Sequence, residues 1–173
     1  EVMQIPVITT MMGISCFSND NPLFFGMLGM HGVKSANKAV KECDVLFLVG
    51  ARVGDRAVRT PLTLEKTTKI LHIDIDPAEI GKNIEVDCYV NGDLKYILSK
   101  FNEILPDMNH EGWMGRIADW KGKYSLKMIP FCDEEEVLPQ DVIEELDRLT
   151  NGEAVITTEV GQHQMWAAQY YNF

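Results

Sequence analysis

In Lys69-Ile-Leu-His-Ile-Asp-Ile-Asp-Pro-Ala-Glu-Ile80, apolar residues recur with a period of two and then run into two aspartates and a proline. This pattern predicts a strand leading into a short helix. Leu71, Ile73 and Ile75 fall on one face, and Ile70, His72, Asp74 and Asp76 on the other. Two carboxylates therefore arrive at the carboxyl end of a strand, where ligands bind in open α/β sheets. Asp76 precedes Pro77 and stands three residues before Glu79, the arrangement of a helix N-cap with a capping box. Asp74 has no such local duty. It either accepts hydrogen bonds from ribose hydroxyls or is a solvated strand end.

Taken in order, the chain alternates strand and helix. A short strand, Ile5 to Thr9, leads into Thr10-Met-Met-Gly13, and an irregular, turn-rich stretch follows through Gly32. A helix is predicted from Ser35 to Glu42. Val45 to Val49 is a continuous apolar run, the pattern of a strand buried on both faces. After the Asp74 strand come a short strand over 87–90, a helix to Leu105 capped by Asp93, and helices over 111–127 and 140–149. A last strand is predicted over Ala154 to Thr158. Strands joined by helical crossovers imply an α/β fold with a doubly wound, mostly parallel sheet. Strand ends at Thr9, Val49, Ile75 and Val90 are expected on one rim.

Charge and cysteine usage exclude several classes. A net charge of -10 argues against nucleic acid or an anionic membrane surface as partner. The run Asp133-Glu-Glu-Glu136 reads as a solvated acidic loop. Cys16, Cys43, Cys88 and Cys132 have no paired spacing, which fits free thiols in a reducing, cytoplasmic setting better than a metal site or a disulfide framework. No stretch approaches the roughly 18 apolar residues of a membrane span. Both ends look like interruptions, Glu1 without an initiator methionine and Trp166 to Phe173 in mid-helix, so the chain is expected to be a piece of a longer polypeptide.

The predicted rim carries the chemistry. Gly50 lets backbone approach a ligand, and Arg52 and Arg56 on the same loop either hold a diphosphate or pair with a neighbour such as Asp55. No G-x-G-x-x-G, P-loop, G-x-S-x-G or H-E-x-x-H occurs. The residues alone point to a nucleotide-like ligand and to no reaction.

Several collinear motifs go further: Pro6-Val-Ile-Thr-Thr-Met-Met-Gly13, Met27-Leu-Gly-Met-His-Gly32, Ala36-Asn-Lys-Ala39, Val49-Gly-Ala-Arg-Val-Gly-Asp-Arg56, His72 to Asn83, and Val160-Gly-Gln-His-Gln-Met-Trp-Ala-Ala-Gln169. Together they resemble the acetohydroxyacid (acetolactate) synthase large-subunit family, most weakly between Asn109 and Asp133. The resemblance implies a thiamine diphosphate enzyme that joins pyruvate to a second 2-oxo acid with loss of carbon dioxide, in branched-chain amino-acid synthesis. Thiamine diphosphate, Mg²⁺ and FAD serve the complete enzyme, a homo-oligomer (dimer or tetramer) with or without a regulatory subunit. This piece alone is expected to bind none of them and to be inactive. The implied layout is a Rossmann-like central domain over 1–107, a helix and acidic linker over 108–138, and the start of the thiamine diphosphate domain over 139–173.

Carried over residue by residue, the resemblance puts Thr10, Met11 and Met12 beside the flavin and Leu28, Gly29, Met30 and His31 along the dinucleotide. Gly50, Ala51, Arg52 and Arg56 follow its diphosphate and ribityl region. Asp74, Ile75, Asp76, Glu79 and Ile80 take the adenosine end, with Gly92 and Asp93 nearby. Val160, Gly161, Gln162 and His163 approach thiamine diphosphate, and Gln164 and Met165 reach the flavin side. No catalytic residue and no metal ligand is assigned within the chain. Val160 to Phe173 is expected to be poorly anchored, hiding Met165, Trp166 and Tyr170 against a neighbouring copy. One departure stands out: the family commonly has Phe-Asp-Asp-Arg where this chain has Val53-Gly-Asp-Arg56, which removes a carboxylate at Gly54. Another thiamine diphosphate carboligase, oxidase or decarboxylase, or a free-standing nucleotide-binding module, remains an alternative.

Overall fold

A computed structural model describes residues 3–58, 64, 67–126 and 137–173. The acidic run 133–136, Cys132 and most of the segment between Arg56 and the Asp74 strand lie outside the described residues.

Three strands form the central sheet: β3 (Val45–Val49), β4 (Lys69–Asp74) and β5 (Cys88–Asn91), in the order β3-β4-β5 and all parallel. The register pairs Leu46 with Ile70 and Leu48 with His72, so Leu46, Leu48, Ile70, His72 and Asp74 share one face. Phe47 and Leu71 share the other. Helix α1 (Lys34–Glu42) covers the first face, its Val40 clustering with Leu48 and Ile70. Helix α2 (Leu94–Ile104) covers the second, where Phe101 stacks on Phe47 at 5.9 Å. Helices on both faces of a parallel sheet make the doubly wound arrangement that the strand–helix alternation predicts.

The strands differ from expectation in four places. Among the described residues β1 (Val7–Thr9) pairs only with β2 (Phe24–Met27), in a separate two-stranded parallel sheet. β2 lies within the stretch read as irregular, because Gly26 at φ +95° and a register shift between Val7 and Thr9 disguise it as a turn. β3 is not buried on both faces: Val45 and Val49 are 49% and 37% exposed, since β3 is an edge strand and β4 the central one. Ala154 to Thr158 forms no strand, as no described strand lies beside it to complete a ladder, and Val155 is 92% exposed.

Helix α3 (Glu111–Lys123) packs on α1 and β2 through buried Ile117. Trp113 and Trp120 meet edge to face at 5.8 Å, and Lys38 and Arg116 lie over the Trp120 ring while both pair with Glu42. Helices α4 (Pro139–Thr150) and α5 (Gln162–Tyr170) pack on each other. Among the described residues no helix is long and apolar enough to cross a membrane, and Cys16, Cys43 and Cys88 are free thiols.

Candidate functional site

The carboxyl ends of β3, β4 and β5 are tied into one edge by backbone. The Gly50 N–H donates to the Ile73 carbonyl (2.8 Å) and the Gly92 N–H to the Asp74 carbonyl (3.0 Å). The Asn91 side-chain amide donates to the carbonyls of Asp74 (2.9 Å) and Ile75 (3.0 Å). Gly50 sits at φ +58°, a backbone conformation that favours glycine, and a Cβ there would lie 2.7 Å from Leu94 Cδ1 at the start of α2, so that side chain would have to move. Asp93 caps α2 by accepting the Tyr96 N–H (2.9 Å).

Asp74 is 8% exposed, and its carboxylate accepts the Asp76 N–H at 2.9 Å. Asp76 in turn accepts the Ala78 N–H at 2.9 Å. These are consecutive Asx turns, not the helix N-cap with a capping box expected from the spacing. No helix forms, because hydrogen-bonded turns run only to Gly81 at φ +70°, too short a span for a helical nucleus. Glu79 pairs with Lys82 (2.7 Å) and leaves its buried Oε2 without a partner among the described residues. Ile80 is half-buried, and Ile75 points outward, 67% exposed.

His72 lies beneath this turn, 2% exposed, with no partner for either ring nitrogen among the described residues. Burial pushes its pKa below the usual histidine value, against the pull of Asp74, whose Oδ2 stands 3.9 Å from Nε2, and of Glu79. The unfolded chain therefore takes up a proton at pH values where the folded chain does not. This contribution to stability is fully present above about pH 6.5 and is lost as pH falls towards the folded pKa. Urea denaturation as a function of pH should show His72→Gln flattening the acid limb below about pH 6.5; an unchanged slope would contradict a neutral buried imidazole.

Thr9 belongs to another sheet, so its link to the rim runs through loops. The Leu28 N–H donates to the Thr9 carbonyl (2.8 Å), and the Met30 N–H donates to the Arg56 carbonyl (2.9 Å). Between them, the Asn37 side chain accepts the Gly29 N–H (3.1 Å) and donates to the Gly29 carbonyl (2.9 Å). Asn37 was given no role by the sequence, and its position on the first turns of α1 beside a Gly-x-x-Gly loop was the only signal. Thr10 and Met11 are half-buried, whereas Met12 and Met30 are 89% and 71% exposed. Arg52 and Arg56 are exposed, with no ion pair among the described residues, and Asp55 is used by the Arg56 backbone N–H (2.9 Å) instead. Ala51 is half-buried beside them. At Gly54 no described atom lies within 4 Å of where a Cβ would stand.

Gly161 precedes α5, and Val160, Gln162 and His163 at its start are exposed, while Gln164 and Met165 are half-buried. Contrary to expectation, Ala167 to Phe173 is well anchored, though Val160, Gln162 and His163 stand exposed. Ala167 and Tyr171 are buried, and the Tyr171 hydroxyl bonds Thr150 Oγ1 (2.7 Å) and accepts the Ala154 N–H (3.3 Å). Gln169 donates to the His31 carbonyl (2.5 Å) and Asn172 to Asp20 (3.1 Å). Met165, Trp166 and Tyr170 are half-buried within the chain itself.

Residues 1–101 match the sequence model of the thiamine pyrophosphate enzyme central domain. Over 180 residues the chain is 43% identical to the probable acetolactate synthase large subunit of Methanocaldococcus jannaschii, covering 99% of this chain and 30% of that protein. It is 43% identical over 179 residues to acetolactate synthase 1, chloroplastic, of Oryza sativa subsp. japonica, covering 100% and 28%. It is 44% identical over 174 residues to the acetolactate synthase large subunit of Parasynechococcus marenigrum, covering 98% and 28%. The chain thus spans less than a third of the length of these relatives. By its parallel sheet, its rim and this match, the chain belongs to the thiamine pyrophosphate enzyme family and carries its central domain.

Proposed function

We propose that this chain is part of the large subunit of an acetolactate synthase, the enzyme that condenses pyruvate with a second 2-oxo acid and releases carbon dioxide. The observation that carries this reading is identity of 43–44% across 98–100% of the chain to large subunits of that name, including the part beyond residue 101. We assign residues 1–107 to the central domain, 108–138 to a connecting helix and linker, and 139–173 to the start of the domain that holds thiamine diphosphate. The complete subunit then works in the cytoplasm as a homo-oligomer, with Mg²⁺ held by residues outside this chain.

The residues present fit a flavin dinucleotide. Two guanidiniums with no ion pair among the described residues, Arg52 and Arg56, suit a diphosphate, and the buried Asp74 carboxylate, which accepts one backbone N–H there, has acceptor capacity left for ribose hydroxyls. Met12, Met30 and Ile75 are apolar side chains standing in solvent, as surfaces that receive a ring or a ligand do. Thiamine diphosphate, when bound, supplies the carbanion stabilisation that decarboxylation needs. Val160, Gln162 and His163 lie at the start of α5 where such a cofactor is approached, and they add hydrogen bonds and apolar contact without anchoring it.

In the complete subunit, Arg52→Ala should raise the dissociation constant for FAD by about tenfold or more, the loss of one charge-assisted contact of roughly 1.5–3 kcal/mol. Flavin fluorescence titration checks it. Unchanged affinity would remove Arg52 from the diphosphate site.

A further inference from the structure

The Leu28–Gly32 loop has glycine at both Gly29, at φ +114°, and Gly32, so little beyond the bond from the Gly32 N–H to the Gly29 carbonyl (3.0 Å) stiffens it from within. Tertiary hydrogen bonds fix it instead. Four of them come from three groups within residues 1–101: one from the Thr9 carbonyl, two from the Asn37 side chain and one from the Arg56 carbonyl. The fifth comes from 138 residues away, where Gln169 Nε2 donates to the His31 carbonyl at 2.5 Å. Gln169 stands on α5, the helix that opens with Gln162 and His163. Gln169 lines a small cavity of about 60 Å³ with Thr9, Gly26, Met27 and Val33, which puts it between α5 and the β1–β2 layer.

We propose that Gln169 is a positioning residue for the dinucleotide site: through the His31 carbonyl it fixes the loop that presents Met30, and so ties flavin affinity to the seating of α5. The proposal rests on the flavin reading above. A side chain on the thiamine diphosphate segment then sets the geometry of the flavin segment, and the two cofactor regions share one mechanical support. Without the donor, the His31 carbonyl loses its partner and Met30 is presented by a loop held at three points.

The test uses the complete subunit stripped of flavin, with FAD affinity from fluorescence titration and the melting temperature of the flavin-free protein as a control. Gln169→Met keeps length and volume but removes the donor, and should raise the FAD dissociation constant about five- to tenfold while the melting temperature of the flavin-free protein hardly moves. Gln169→Lys keeps a donor and should stay within about twofold of the wild type. Wild-type affinity in Gln169→Met overturns the proposal, and so does a Lys variant that loses as much as the Met variant. Should Gln169→Met fail to fold, Gln169→Asn, one methylene shorter, should show the same loss, and normal affinity there overturns the proposal equally. A wild-type subunit that binds no FAD would instead overturn the flavin reading on which the proposal stands.

Discussion

Supplied with pyruvate, thiamine diphosphate, Mg²⁺ and FAD, residues 1–173 alone are expected to form no acetolactate. Gln162 and His163 sit exposed at the start of α5. Polar contacts of their kind contribute about 1 kcal/mol each, which corresponds to a dissociation constant of tens of millimolar for two, far too weak to hold the cofactor at work. Among the described residues no group of three or more His, Cys, Asp or Glu is placed to hold a metal ion. The assay uses the chain at high concentration beside a protein-free blank. Turnover above the blank that disappears with His163→Ala would show a self-sufficient catalytic site, and the reading of this chain as one part of a larger site would fall.

The second large effect belongs to Gly32→Ala. A Cβ at Gly32 would stand 2.2 Å from the Met27 carbonyl oxygen, 2.5 Å from Leu28 C and 2.8 Å from the Gly29 nitrogen. All three are backbone atoms, so no side chain can swing away to make room. The loop must open, and the bonds from Gly32 to Gly29 (3.0 Å) and from Val33 to Met27 (2.9 Å) go with it. Overpacking of this kind costs about 1–3 kcal/mol, a fall in melting temperature of roughly 3–10 °C for a chain of this size. Gly115 on α3, which has nothing within 4 Å of its would-be Cβ, is the control. Gly115→Ala should stabilise by about 0.5–1 kcal/mol through helix propensity. Thermal denaturation reads both, and a Gly32→Ala protein as stable as the wild type would contradict the packing of the loop.

The parts of the fold written in periodicity were legible. The two faces of β4 follow from alternation, and the register keeps Ile70, His72 and Asp74 on the α1 side as the alternation requires. Elements whose identity depends on a partner were not. Phe24–Met27 becomes a strand only because Val7–Thr9 lies beside it, and Ala154 to Thr158 has strand composition with no ladder to join. The turn after Asp74 has the spacing of a capped helix but stops at Gly81, where a left-handed backbone ends it. At the rim, the motifs placed Gly50, Arg52, Asp74 and the Leu28–His31 loop. The supports of that loop, Asn37 and Gln169, act through backbone atoms 8 and 138 residues away, a relation that no local pattern encodes.

The measurement that bears most directly on the central claim is product formation by the complete polypeptide that contains this chain. Purified and supplied with pyruvate, thiamine diphosphate, Mg²⁺ and FAD, it should release carbon dioxide and acetolactate in equal amounts, and omission of thiamine diphosphate should abolish both. A folded, fully supplemented protein that consumes no pyruvate, or that turns it into acetaldehyde or acetate without acetolactate, would contradict the account.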